Sequence, residues 1–197
     1  RVGIALSCYG AGALVACFVG GILADRVGRR PTMLVSFFGG GLAMLVLGAI
    51  DDPRWIPPTV ALLGFLGELH RPAVSAMVAD VVPAKDRLRA YGLLYWAVNL
   101  GFAIAPVVAG FMARRGFSLL FMLDGATTIA FGVIVWWRVP ETRVESTIPG
   151  ATQASIITPF RDSVFMVFSL LLLGIGLAFN HISVSLPLSI TAIGLLP

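Results

Sequence analysis

An all-α, polytopic membrane protein is the fold class this sequence predicts, and three observations predict it. The 197 residues are 58% hydrophobic and only 12% charged, with a mean hydropathy of +0.94. Soluble domains carry about 45–50% apolar and about 25% charged residues, so a soluble core of this size cannot hide so much apolar surface. The apolar residues also gather into six runs of about 20, the length a helix needs to cross a ~30 Å hydrocarbon layer. Finally, charges and prolines gather in the breaks between runs. Net charge +4 and a pI near 9.7 do not point to nucleic acid, because the basic residues form short clusters and no continuous stripe.

The runs, with ends uncertain by a few residues, are Val2–Ala24, Thr32–Ile50, Ile56–Val78, Ala90–Ala113, Ser118–Trp137 and Ser163–Ser183. The first contains both cysteines, Cys8 and Cys17. At ~100° per residue they fall on opposite helix faces, so packing is their role, and no disulfide or metal pair forms between them. The second run follows a polar knot at Asp25–Pro31. The third follows Asp51–Pro57, in a stretch with Pro53, Pro57 and Pro58. The fourth follows Asp80–Arg89, the fifth Arg114–Gly116, and the sixth the longer Arg138–Asp162.

Alternate breaks share a side. One side holds nine basic residues (Arg26, Arg29, Arg30, Lys85, Arg87, Arg89, Arg138, Arg143, Arg161), and the other holds four (Arg1, Arg54, Arg114, Arg115). The richer side is expected to be cytoplasmic, which puts the Asp25–Arg30 loop inside a multi-pass protein of the cell (inner or plasma) membrane. Trp55, Trp136 and Trp137 fall at the expected interfaces. Val139–Asp162, polar and rich in Thr, Ser and Pro, reads as a linker between a bundle at 1–138 and a second unit at 163–197. Arg1 heads the chain directly before an apolar run, with no secretory leader, and both ends read as cuts through a longer protein.

The polar knot has a spacing of its own. Asp25 and Arg29 are four apart and would pair if the first helix continued through them. Gly21 removes a side chain one turn earlier, where another helix can approach, and Gly28 permits the reversal into the next span. Taken alone, these residues are ordinary topology determinants or a built latch. Gly12, Gly21, Asp25, Arg26, Gly28, Arg29 and Arg30 together resemble, position for position, the motif between the second and third helices of the major facilitator superfamily. The resemblance implies that the aspartate faces a helix of the other half of the transporter. It also implies that the arginine reaches an acidic residue at the cytoplasmic end of helix 4, the place of Asp80.

The third run contains the deepest charges, Glu68 and Arg71, with His70 between them. A charge at mid-bilayer costs about 2.5–3.5 kcal/mol on insertion scales, so these face partners or a cavity. Three apart, Glu68 and Arg71 share a helix face. They are either a self-neutralising pair that locks packing or a coupling pair in which Arg71 tunes a carboxylate shared by proton and substrate. Arg71 resembles in position an arginine in helix 4 of drug/proton antiporters, although Val74 and Ser75 replace the usual Gln and Gly there. His70 is a packed histidine or a proton carrier.

In the fourth run Gly101, Pro106 and Gly110 resemble the helix 5 motif of those antiporters, with Ala105 and Ala109 in place of two glycines. By itself Pro106 is a proline kink with small neighbours that allow close packing. The runs Arg71–Pro83 and Tyr91–Gly101 look like bacterial multidrug facilitators in particular. Asp124 is an outer-vestibule proton or cation site, or a residue that reaches the interface. Trp96 and Asn99, and likewise Asn180 and His181, line a substrate cavity or pack.

No phosphate-binding loop, G-x-S-x-G or H-E-x-x-H occurs, so no catalytic residue, metal or cofactor is expected, and a proton gradient is the expected energy source. The resemblance implies helices 2 to 7 of a twelve-helix facilitator: an N-terminal six-helix bundle lacking helix 1, plus the first helix of the C-terminal bundle. The expected activity is proton-coupled efflux of small molecules or drugs. A specific metabolite or sugar transporter, or a non-transporting membrane sensor or assembly protein, is the alternative. The expected partners are a small-molecule substrate, the lipid bilayer and the missing C-terminal half, with no nucleic acid.

Overall fold

Residues 2–113, 116–143 and 161–192 are described by a computed structural model. Within them the chain is helical and contains no strand. It divides into two units, Arg1–Glu145 and Ser146–Pro197. In the first unit the helices are α1 (Val2–Arg26), α2 (Arg29–Gly48), α3 (Ile56–Glu68), α4 (His70–Val81), α5 (Arg87–Ala113) and α6 (Phe117–Arg138). In the second, α7 runs Ser163–Ala192, and Asp162 Oδ1 caps its start by accepting from Val164 N and Phe165 N at 2.9 and 3.3 Å. Most of the linker read at 139–162 lies outside the described residues, as do residues 114 and 115 of the break before α6.

Four of these helices, α1, α2, α5 (with the short turn before it) and α6, are long and apolar enough to cross a membrane. The third expected span is two helices. α3 and α4 meet at Leu69, whose backbone stays helical (φ −57°, ψ −28°). The reason is Pro72, which has no N–H for the carbonyl of Glu68 and whose ring crowds it, so the helix opens one turn earlier. Ser36 of α2 fills the opening. Its hydroxyl donates to Leu66 O at 2.6 Å and accepts from His70 N at 3.2 Å.

α1 packs on α3, and α2 lies between α6 and the α3–α4 pair. With lipid outside there is little hydrophobic gain in joining helices, so close backbone approach sets the contacts. Gly12 and Gly64 make the α1–α3 crossing: a Cβ on Gly12 would run into Ala61 O, and one on Gly64 into Tyr9 O. Gly41 and Gly125 do the same for α2 and α6, each leaving a Cβ within 2.9 Å of the other's carbonyl oxygen. Small side chains are prominent among the covered ones for this reason: Ala16, Ala24 and Ala73 are at most 1% exposed, although Leu69 is too. α5 is open along its length, and its start is tied to α4 by Arg87 donating to Ala79 O and Val82 O at 2.7 and 3.2 Å.

Candidate functional site

Two polar clusters stand out. The first gathers where α1, α4 and α6 end and α2 begins, the basic end of the bundle. The knot that reads as a seven-residue loop is a two-residue turn, Val27–Gly28, because α1 continues through Asp25 and α2 already includes Arg29. Asp25 Oδ1 does reach Arg29 Nη1 at 3.2 Å, but across this turn and not along one helix. Arg29 Nε donates to Asp80 Oδ2 at 3.0 Å, and its Nη1 donates to Ala24 O at 2.6 Å.

Burial ranks these partners. The Arg29 and Asp80 side chains are 14% and 20% exposed, while Asp25 is 73% exposed. An exposed ion pair contributes about 0–1 kcal/mol, whereas breaking a buried one costs about 3–5 kcal/mol because a charge is stranded. Asp80 is therefore the main anchor of Arg29 within this unit. Asp25 remains open to a further partner.

Glu141, which the sequence reading passed over, completes the cluster. The α2 N-terminus has no capping side chain of its own, since its N-cap is Gly28. The Glu141 carboxylate supplies the missing acceptor, taking Arg29 N at 2.9 Å and Arg30 N at 3.1 Å, a favourable charge for the positive end of a helix. It also accepts from Thr142 N and Arg143 N of its own turn at 3.0 and 2.9 Å. Burial pushes the Glu141 carboxyl up, but the backbone donors of Arg143, Arg29, Arg30 and Thr142 outweigh it and hold the group below its ordinary 4.5.

Gly28 makes room for this carboxylate. Its φ is +135°, and a Cβ there would stand 2.5 Å from Glu141 Oε2. Arg30 donates to the carbonyl of Trp136, and Thr142 Oγ1 lies 3.4 Å from Asp80 Oδ2, so the end of α6 is joined to both α2 and α4. Only V-P-E-T-R just past the last interfacial tryptophans hinted at this, and no local pattern pairs residues 111 and 112 apart.

The second cluster lies at the α3–α4 break. Glu68 and Arg71 form their ion pair there, with side chains 14% and 64% exposed. Tyr9 of α1, also missed in the sequence, donates its hydroxyl to Glu68 Oε1 at 2.7 Å. On the other side of Tyr9 is a cavity of about 250 Å³ walled by Tyr9, Ser36, His70, Asp124, Thr128 and apolar neighbours. His70 and Asp124, from α4 and α6, thus come together around one space. His70 Nδ1 lies 2.7 Å from Gly67 O, which can only accept, so this nitrogen carries a proton. The ring also packs against Phe37, with centroids 5.1 Å apart. A wider cleft of about 570 Å³ at the opposite end is walled by Ile4, Ala5, Asp52–Arg54, Ile56 and Pro57. There Asp52 is already occupied in capping its own turn through Arg54 N.

The remaining expected residues are less assembled. Nothing among the described residues comes within 4 Å of a Cβ on Gly21; Gly20 is where α1 meets Leu69 and Pro72. Arg26 is exposed, with no hydrogen bond or ion pair among the described residues. Pro106 lies inside a continuous α5, and Gly101 and Gly110 face open space, not the close packing expected of them. Trp96 is exposed, and Asn99 turns its amide back onto Tyr95 O at 2.7 Å. The side chains of Asn180 and His181 lie outside the described residues. Among the described residues no group of three or more His, Cys, Asp or Glu gathers as a metal site.

Comparison with known proteins agrees with this architecture. The chain is 27% identical over 177 residues to multidrug resistance protein MdtH of Sodalis glossinidius, covering 88% of this chain and 43% of that protein. It is 29% identical over 130 residues to a Na(+), Li(+), K(+)/H(+) antiporter of Planococcus maritimus, covering 62% and 30%. The fold matches a crystal structure of a peptide transporter POT (E310Q mutant, with sulfate) at a TM-score of 0.56 and 24% identity, over 92% of this chain and 37% of that one. The chain spans less than half the length of the curated relatives it matches. The Major Facilitator Superfamily model matches residues 1–196, and the chain belongs to that family of membrane transporters.

Proposed function

We propose that the whole protein exports small molecules in exchange for protons by alternating access, with the basic end facing the cytoplasm as its latch. The observation that carries the reading is the Glu68–Arg71 ion pair at the α3–α4 break of the third apolar run, hydrogen-bonded by Tyr9. Charges in a bilayer interior are expensive, and an ion pair whose carboxylate takes up a proton and so releases its arginine is a means of coupling proton movement to substrate release. The multidrug and cation/proton antiporter relatives support the class of activity. The nine-to-four bias of basic residues supports the orientation. In this reading Asp25, left open within the first unit, meets the second half of the transporter, and Val139–Asp162 joins the halves.

The test is transport by the full-length protein in proteoliposomes with a panel of fluorescent drugs. A pH gradient should drive transport, and collapsing it with an ionophore should stop the accumulation. Glu68→Gln with Arg71→Ala should lower gradient-driven transport by ~10-fold or more, the scale set by loss of a positioned proton-transfer group. Undiminished transport in that double variant removes the pair from the mechanism. A specific metabolite carried without any drug would favour the narrower transporter reading.

A further inference from the structure

We infer that protons reach Glu68 through the interior of this bundle, from Asp124 across the cavity to Tyr9, so that Tyr9 is the relay between two otherwise separate polar compartments. The inference rests on the proton-coupled reading and assigns it a route. Asp124 lies about two turns into α6 from the end remote from the basic cluster, and among the described residues its carboxylate has no hydrogen bond or ion pair. The cavity it faces, about 250 Å³, has room for several waters at roughly 30 Å³ each. Ser36, Thr128, Tyr9, His70 and Asp124 give such waters the polar contacts they need. Phe37, Met44 and Leu63 are among the apolar residues of the rest of the wall.

Glu68 is not part of this wall. Its carboxylate is paired with Arg71, whose side chain is 64% exposed. Tyr9 belongs to both sides: it walls the cavity, and its hydroxyl donates to Glu68 Oε1 at 2.7 Å. A phenol can accept a proton at its oxygen while giving up its own. Ionisable groups around the path are Tyr9 on α1, Glu68 on α3, His70 and Arg71 on α4, and Asp124 on α6; α2 contributes only Ser36 of the polar groups.

The transfer balances. Protonated Asp124 gives its proton to a cavity water, which passes one of its own to the Tyr9 oxygen as the Tyr9 hydroxyl proton moves to Glu68 Oε1. Asp124 ends ionised, water and Tyr9 end unchanged, and Glu68 ends neutral beside a released Arg71. His70 stands at the edge as a support, its Nδ1 proton committed to Gly67 O.

The experiment compares two rates in the full-length protein, in proteoliposomes, with a dye that the protein carries. One is efflux driven by a pH gradient; the other is dye-for-dye exchange at equal pH, which needs no net proton transfer. Tyr9→Phe keeps the ring and removes only the relay atom, and Asp124→Asn removes the entry carboxylate. Each should lower the ratio of driven to exchange rate by ~10-fold or more, and Asp124→Glu should restore it. A wild-type ratio in Tyr9→Phe overturns the route, and so does an equal fall in both rates, which marks a structural role. If Tyr9→Phe fails to fold, Asp124→Asn and its Glu rescue decide by the same ratio. Wild-type exchange with no response to the gradient refutes the proton-coupled reading itself, and the route with it.

Discussion

Replacing Gly28 by alanine should damage the protein in a way that depends on Glu141, more than a hundred residues away. Two terms add. The backbone at Gly28 (φ +135°, ψ 161°) lies in a region open essentially to glycine, where another residue costs about 1–3 kcal/mol. The new Cβ would also stand 2.5 Å from Glu141 Oε2 and push the carboxylate off Arg29 N and Arg30 N. Hydrogen bonds to a charged group contribute about 1.5–3 kcal/mol each, and screening at this exposed site brings the pair down to about 1–2 kcal/mol in all. Gly28→Ala should therefore cost about 2–5 kcal/mol, and Glu141→Ala about 1–2 kcal/mol. In the double variant the carboxylate is already gone, so alanine at 28 should cost only the backbone term. The losses should fall short of additivity by about 1–2 kcal/mol. Thermal unfolding of the full-length protein and the three variants in detergent measures this cycle. Strict additivity, within about 0.5 kcal/mol, would refute the contact.

The same cap should be sensitive to acid. A carboxyl held below its ordinary 4.5 adds stability above that value and loses it as pH falls through the depressed one. The stability difference between wild type and Glu141→Gln should be full at pH 7 and vanish once the solution is more acidic than the folded-state value, as read from unfolding midpoints across that range. At the neighbouring ion pairs, Asp80→Asn should cost about 2–3 kcal/mol and Asp25→Asn no more than about 1 kcal/mol in this unit, following their exposures of 20% and 73%. Both should raise thiol labelling of a cysteine introduced at the basic end of the full transporter. Equal stability losses for the two would show that burial does not rank the partners of Arg29.

Much of the architecture is local chemistry and could be read directly. A bilayer demands about 20 apolar residues per crossing, so α1, α2, α5 and α6 are visible as composition alone, with ends shifted by no more than about three residues. The Asp25–Arg29–Asp80 set was visible because a spaced motif names its own members and the helix directions place Asp80 at the same end. The Glu68–Arg71 pair follows from their separation by three, which survives the α3–α4 break because the backbone at Leu69 stays helical.

What the tertiary structure alone decided is which distant groups share a space. The break at Leu69 needs Pro72, yet it persists because Ser36 of another helix satisfies the opened backbone. Gly20 rather than Gly21 became the contact with α4, since a one-residue difference rotates a position by ~100° around the helix. Tyr9 found Glu68 across 59 residues, and Glu141 found Arg29 across 112. In lipid the apolar runs must be helices wherever they pack, so sequence settles their existence. How each helix is turned about its axis is set by small-residue crossings such as Gly12–Gly64, and that rotation chooses the polar partners.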